Sequence, residues 1–326
     1  MIQLQRPRRL RQNSSIRNMV KETYLGLEHL IYPVFFHAKK HSEDLKALPD
    51  LKRHSPTDLY RHVEECCELG LNNFALFPAI DEALKNPQAK EALNPENLNL
   101  TVIGELKRRF PHITLMGDVA LDPYSSLGHD GLVDEKNGEI LNDQTVAMLA
   151  KMSLLQAQAG IDILGPSDMM DGRVGEIRQA LERAGYSKTL IMSYTAKYAS
   201  ACYGPFREAL NSAPKSGDKK TYQMDPANIE EALREASLDE AEGADFLMVK
   251  PGLLYLDVVR ALHQHSRLPI AVYNVSGEYA MVKEAIGKGS LSFSVIEELL
   301  FSFRRAGAQV ILTYHAKEYA DWLKTR

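Results

Sequence analysis

The sequence predicts an α/β fold: a single (β/α)8 barrel preceded by an N-terminal arm. Three observations carry that reading. Short apolar runs alternate with segments of helical period, and such alternation implies a parallel sheet. Eight strand-helix units fit into roughly 290 residues, close to the usual size of a closed (β/α)8 barrel with insertions. No Gly-x-Gly-x-x-Gly turn follows an early strand, as a doubly wound dinucleotide-binding sheet would require.

The chain has 326 residues, 44% hydrophobic and 25% charged, which suits a globular enzyme of one or two domains. A net charge of −4 gives no bulk attraction to nucleic acid or an acidic membrane. The basic cluster Arg6-Pro-Arg-Arg-Leu-Arg11 opens an arm over residues 1–30, read as packing on a neighbouring subunit rather than on nucleic acid. The start lacks the apolar centre of a signal peptide. No run approaches the ~20 apolar residues that span a bilayer. Cys66, Cys67 and Cys202 are odd in number and two are adjacent, so neither a disulfide framework nor a CxxC metal pattern is available. These features together predict a cytoplasmic protein.

The barrel occupies 31–326. Its predicted strands are 31–36, 73–78, 113–121, 162–168, 189–197, 245–251, 269–277 and 310–316. Between them, Val146, Leu149, Ala150, Ser153 and Leu154 share one helical face. So do Val174, Ile177, Leu181 and Ala184, and Ile229, Ala232, Leu233 and Ala236. Barrels keep their chemistry at the strand C-termini. Here those ends read Asp118 and Asp122, Ser167-Asp168, Lys197, Lys250, Ser276 and Tyr314. Two connections, 122–143 and 203–226, exceed the ~12–15 residues of a plain loop and are read as lids over one mouth.

Lys197 ends the fifth strand and Lys250 the sixth, and neighbouring strands lie about 4.8 Å apart. Like charges in a desolvated mouth disfavour protonation of both amines. An unprotonated lysine attacks carbonyls to form a Schiff base, and two such lysines suit the joining of two carbonyl substrates. Arg207, Lys215, Lys219 and Lys220 in the second lid offer anion-binding groups. A class I aldolase is the rival enzyme reading, but it needs one lysine and a phosphate site after the last strands. A non-catalytic barrel scaffold would have no reason to keep both lysines and Arg207.

The motifs RPRRLR, GDVALDPYSSLGHDG, GPSDMMDGRV, MSYTAKYASACYGPFREA, TYQMDP, LMVKPGLLYLD and YNVSGEYAM resemble those of the porphobilinogen synthase family, also called δ-aminolevulinic acid dehydratase, along essentially the whole chain. The resemblance implies condensation of two 5-aminolevulinate molecules to porphobilinogen with loss of two waters, an early step of tetrapyrrole (haem) biosynthesis. It implies a homo-oligomer, usually an octamer, in which the arm embraces a neighbour. By position, Lys250 and Lys197 correspond to the Schiff-base lysines for the propionate-side and acetate-side substrates. Arg207, Lys219 and Gln223 correspond to the groups on the acetate-side carboxylate, and Ser276 and Tyr314 to those on the other. Asp118 and Ser167 correspond to groups that orient the substrate's amino group.

Some members hold zinc through three lid cysteines; the matching positions here are Ala120, Asp122 and Asp130, so a cysteine-type zinc site is excluded. Carboxylates suit hard cations such as Mg2+, which makes Asp122 and Asp130 candidate ligands near the active site. His129 beside them reads as a hydrogen-bonding surface group. The resemblance further implies an allosteric Mg2+ on Glu235.

Overall fold

The computed structural model describes residues 5–325. Eight parallel strands close into a barrel: β1 Leu30–Phe36, β2 Asn73–Pro78, β3 Thr114–Val119, β4 Ile163–Pro166, β5 Leu190–Lys197, β6 Phe246–Lys250, β7 Ile270–Asn274 and β8 Val310–Thr313. Each pairs with the next, and Leu30 of β1 pairs with Ile311 of β8 to complete the ring. All eight predicted strands are present, with trimmed ends. A strand buried on both faces reads as a near-continuous apolar run, which is why β1, buried throughout, was legible.

The predicted helical faces pack largely as read, except that Ala184 lies just past its helix and is exposed, and Leu154, Ile229 and Leu233 are only half-buried. In the helix Asn142–Ala159, Val146, Leu149, Ala150 and Ser153 are buried; in Arg173–Arg183, Val174, Ile177 and Leu181 are. The helix Glu230–Glu242 follows the second lid and buries Ala232 and Ala236. No helix among the described residues is long and apolar enough to cross a membrane.

Three elements were not anticipated. A small antiparallel pair, Glu43–Asp44 with Lys52–His54, fills the loop after β1, and its second strand runs parallel to the end of β1 with Arg53 opposite Phe35. The second lid contains a seven-residue helix, Gly204–Leu210. The register between β5 and β6 shifts between Ser193 and Ala196. That irregularity lets Tyr194 and Lys197, three residues apart, both approach the same interior, which strict alternation forbids.

Within the arm, Asn13 caps the short helix Ser14–Met19 by accepting a hydrogen bond from the Ile16 amide at 2.9 Å. None of that helix is buried, and Met19 is 77% exposed. Residues 1–4 of the arm predicted over 1–30 lie outside the described residues.

Candidate active site

The C-terminal mouth brings together Asp118, Asp122, Asp130, Ser167, Lys197, Arg207, Lys219, Gln223 and Lys250, with Tyr203 and Phe206 from the second lid. Lys197 and Lys250 are direct register partners on β5 and β6. Their environments are opposite.

Lys250 sits in an aromatic cage, its Nζ 4.6 Å from the Tyr273 ring centre, 5.0 Å from those of Tyr194 and Phe206, and 5.4 Å from that of Tyr203. Among the described residues no carboxylate pairs with it. Burial first, and then the charge of Lys197, push its ammonium down to about 7. The ring faces favour an ammonium by up to about 2 kcal/mol, roughly 1.5 pK units. Full burial can move a lysine by 3–5 units the other way, so desolvation prevails.

Lys197 donates to Asp130 Oδ2 at 3.0 Å and to the Ser167 carbonyl. The other oxygen of Asp130 accepts from Lys219 at 2.5 Å, and Asp122 lies 3.6 Å from the same ammonium. Burial alone would raise the Asp130 carboxyl, but the two lysines hold it far below the carboxylate range. Burial would likewise lower Lys219, yet Asp130 and Asp122 keep it raised. The site thus holds one amine poised to lose its proton and one tied to a carboxylate.

Asp118 accepts a hydrogen bond from Ser167 Oγ at 2.7 Å. Its carboxyl is pushed up to about 7, chiefly by burial and then by the charge of Asp122. It can therefore carry or release a proton near neutrality. Gln223 is buried with its Oε1 unpartnered, an acceptor aimed at nothing in the protein.

Several predicted residues sit elsewhere than beside the lysines. Ser276 and Tyr314 do not line the cavity with the lysines. Ser276 Oγ accepts from the Phe206 amide at 3.1 Å, and the Tyr314 hydroxyl bonds that of Tyr273 at 2.9 Å, both under the closed lid. Lys215 and Lys220 are exposed and outside the cavity. His129 bonds as expected but is buried, bridging the lids through the Tyr222 hydroxyl and the Ser216 carbonyl, each at 3.1 Å. Beside it, a Cβ on Gly128, whose φ is +74°, would meet the Ala213 carbonyl at 2.3 Å; only glycine lets the lids meet so closely. Asp122 and Asp130 fit an ion poorly as placed, because lysines already neutralise them, and among the described residues no cluster of three acidic, His or Cys groups could hold a metal. The cysteines stand apart and unpaired.

Sequence reasoning missed the aromatic cage and a buried cluster behind it. Arg173, 2% exposed, lies 3.8 Å from Asp168 and 3.6 Å from Asp239. Burial raises Asp168 to about 6 despite that guanidinium. Arginine inside the quoted motif GPSDMMDGRV was the available signal, since arginine is rarely buried unless paired.

With the lid shut, about 30 Å3 of the cavity is free, room for a water or two. A larger cavity of about 320 Å3, between β1 and the C-terminal helix, contains neither lysine.

Two lysines paired in register at the C-terminal mouth of a (β/α)8 barrel, among carboxylates, an arginine and a glutamine, mark this mouth as the candidate active site of a barrel enzyme. A family profile described as delta-aminolevulinic acid dehydratase matches residues 4–322. The chloroplastic delta-aminolevulinic acid dehydratase of the moss Physcomitrium patens is 51% identical, over 98% of this chain and 74% of that one. The enzyme of Chlamydia pneumoniae is 48% identical, over 95% and 94%. The crystal structure of the Toxoplasma gondii enzyme in complex with its reaction product porphobilinogen superposes with a TM-score of 0.97 at 50% identity, covering 98% of this chain and 92% of that one. The chain belongs to the delta-aminolevulinic acid dehydratase family, the porphobilinogen synthases, lyases of porphyrin and haem biosynthesis. The cytoplasmic expectation is corrected: the moss, soybean, rice and Chlamydomonas relatives are named chloroplastic.

Proposed function

We propose that the mouth condenses two molecules of 5-aminolevulinate to porphobilinogen through imines on Lys250 and Lys197, with loss of two waters. The observation that carries this is the register pairing of two lysines in unlike environments. Lys250, about half free amine at neutrality, attacks the keto carbon of the propionate-side molecule first. Lys197 follows on the acetate-side molecule, once that substrate's carboxylate has drawn Lys219 away from Asp130 and engaged Arg207. Gln223 donates to the same carboxylate. Asp118, bonded to Ser167, orients the substrate amino group and takes up or returns a proton there. Lifting the lid releases Ser276 Oγ from the Phe206 amide, so that it and Tyr314 bind the second carboxylate.

Closure over the substrates expels water, which favours imine formation and dehydration. Borohydride trapping with 5-aminolevulinate, followed by peptide mass analysis, tests the scheme. Adducts are expected on the Lys250 peptide at low substrate and on both peptides at saturation. Absence of adduct at either lysine while porphobilinogen is formed refutes it.

Glu235 is proposed to hold an allosteric Mg2+. Its half-buried carboxyl is raised by burial and by Asp239, Asp171 and Glu231, against the pull of Arg173, a set that a cation would relieve. Mg2+ keeps most of its waters and needs only one or two carboxylates; bound there it supplies charge neutralisation behind Arg173. The arm, exposed along Ser14–Met19, is proposed to pack on a neighbouring subunit in a homo-octamer.

A further inference from the structure

We propose that Arg53 and Lys85, neither of which lines the cavity, are positioning residues for the reaction: they hold the lid helix Gly204–Leu210 shut by capping its C-terminal carbonyls. This builds on the lid and substrate-carboxylate roles proposed above. A seven-residue helix is too short to persist by its own hydrogen bonds, and its last carbonyls have no partner within the helix. Arg53, carried by the small strand beside β1, supplies partners from 156 residues away. Its Nε and Nη2 donate to the Ala209 carbonyl at 2.9 and 2.6 Å, and Nη2 also reaches the Glu208 carbonyl at 3.4 Å. Glu43 Oε2 fixes its remaining nitrogen at 3.3 Å. Lys85, with a side chain 1% exposed, donates to the Asn211 carbonyl at 2.9 Å and is oriented by Glu82 at 2.6 Å. Asn211 ends the helix in the left-handed region, φ +50°, which turns its carbonyl toward that lysine.

Cations at a helix C-terminus complement its dipole, and charged donors make the stronger bonds. At the other end the neutral Ser276 hydroxyl holds the Phe206 amide, the Tyr203 hydroxyl donates to the Lys250 carbonyl at 3.1 Å, and Phe206 packs on Phe35 and Phe77. The two cations add the charged contacts to those that keep Phe206 against Lys250 and Arg207 in the cavity. The clamp is independent of substrate, so it sets the balance of closed and open lids in the free enzyme.

The test compares Arg53→Ala, Arg53→Lys and Lys85→Met with the unmodified full-length oligomer. Limited trypsin cleavage reads lid opening at the exposed Lys215 and Lys220. Loss of a charged clamp shifts the closed-to-open ratio about tenfold. Cleavage of the free enzyme by Arg53→Ala is therefore expected about tenfold faster, and saturating 5-aminolevulinate should restore protection. KM should rise by up to the same factor, because substrate must then draw the lid down itself, while kcat changes less than about twofold. Arg53→Lys, which keeps a charge but not the paired donors, should recover part of both effects. Lys85→Met should move both readouts the same way, and it decides the matter where Arg53→Ala fails to fold. Unchanged cleavage and KM in folded variants overturn the proposal, as does a loss of kcat at constant KM. Failure of the imine scheme would appear separately, as missing borohydride adducts in the unmodified enzyme with the cleavage result intact.

Discussion

Burial strips the Lys250 ammonium of water, with repulsion from Lys197 second, and these causes can be separated. With its value pushed down to about 7, about half of Lys250 is free amine at pH 7, against about 0.04% of an ordinary lysine, an advantage of about a thousandfold in nucleophile. Competitive labelling with trace acetic anhydride across pH 5–11, read peptide by peptide, reports the free-amine fraction as a midpoint that reagent access does not shift. The unmodified enzyme should give a midpoint near 7 on the Lys250 peptide. Lys197→Met removes the second cause and frees Asp130 to act on Lys250, and it should raise the midpoint by about one unit. Phe206→Ala opens the cage, in which the ring centre lies 5.0 Å from Nζ, and lets water return. That should raise the midpoint further, by two units or more of the 3–5 that full burial can impose. A midpoint above 9 in the unmodified enzyme, or one restored to the ordinary range by Lys197→Met alone, refutes the burial argument. The same shift sets a sign for stability. The folded value lies below the unfolded one, so between about pH 7 and 10 the unfolded chain binds more protons and the Lys250 contribution to stability increases with pH.

Two further outcomes follow from the buried charges. Arg173→Met leaves Asp239 and Asp168 without their guanidinium and should cost about 3–5 kcal/mol, measured by denaturant unfolding at pH 8; a loss below about 1 kcal/mol would mean both carboxyls protonate without penalty. Glu235→Gln should abolish a Mg2+-dependent rise in Tm while leaving the Lys250 labelling midpoint in place, and a Tm response equal to that of the unmodified enzyme would move the ion elsewhere.

The sequence by itself determined the barrel, since each strand is a local apolar run and each helix a local period. It also determined where the chemistry sits, because Lys197 and Lys250 end adjacent strands and a closed parallel barrel has only one C-terminal mouth. It placed Arg207, Lys219 and Gln223 in a connection of unusual length, and they do meet the lysines. What only the tertiary structure decided is the difference between the two amines. Both read as a lysine after an apolar strand, but Asp130 reaches Lys197 across 67 residues, whereas the rings around Lys250 come from three separate segments. A pKa depends on burial and on neighbours brought from elsewhere in the chain, and no local pattern encodes either. The same holds for Arg53, an unremarkable charge beside Lys52 in the sequence, which acquires a role only because the fold sets it against the end of a helix in the second lid.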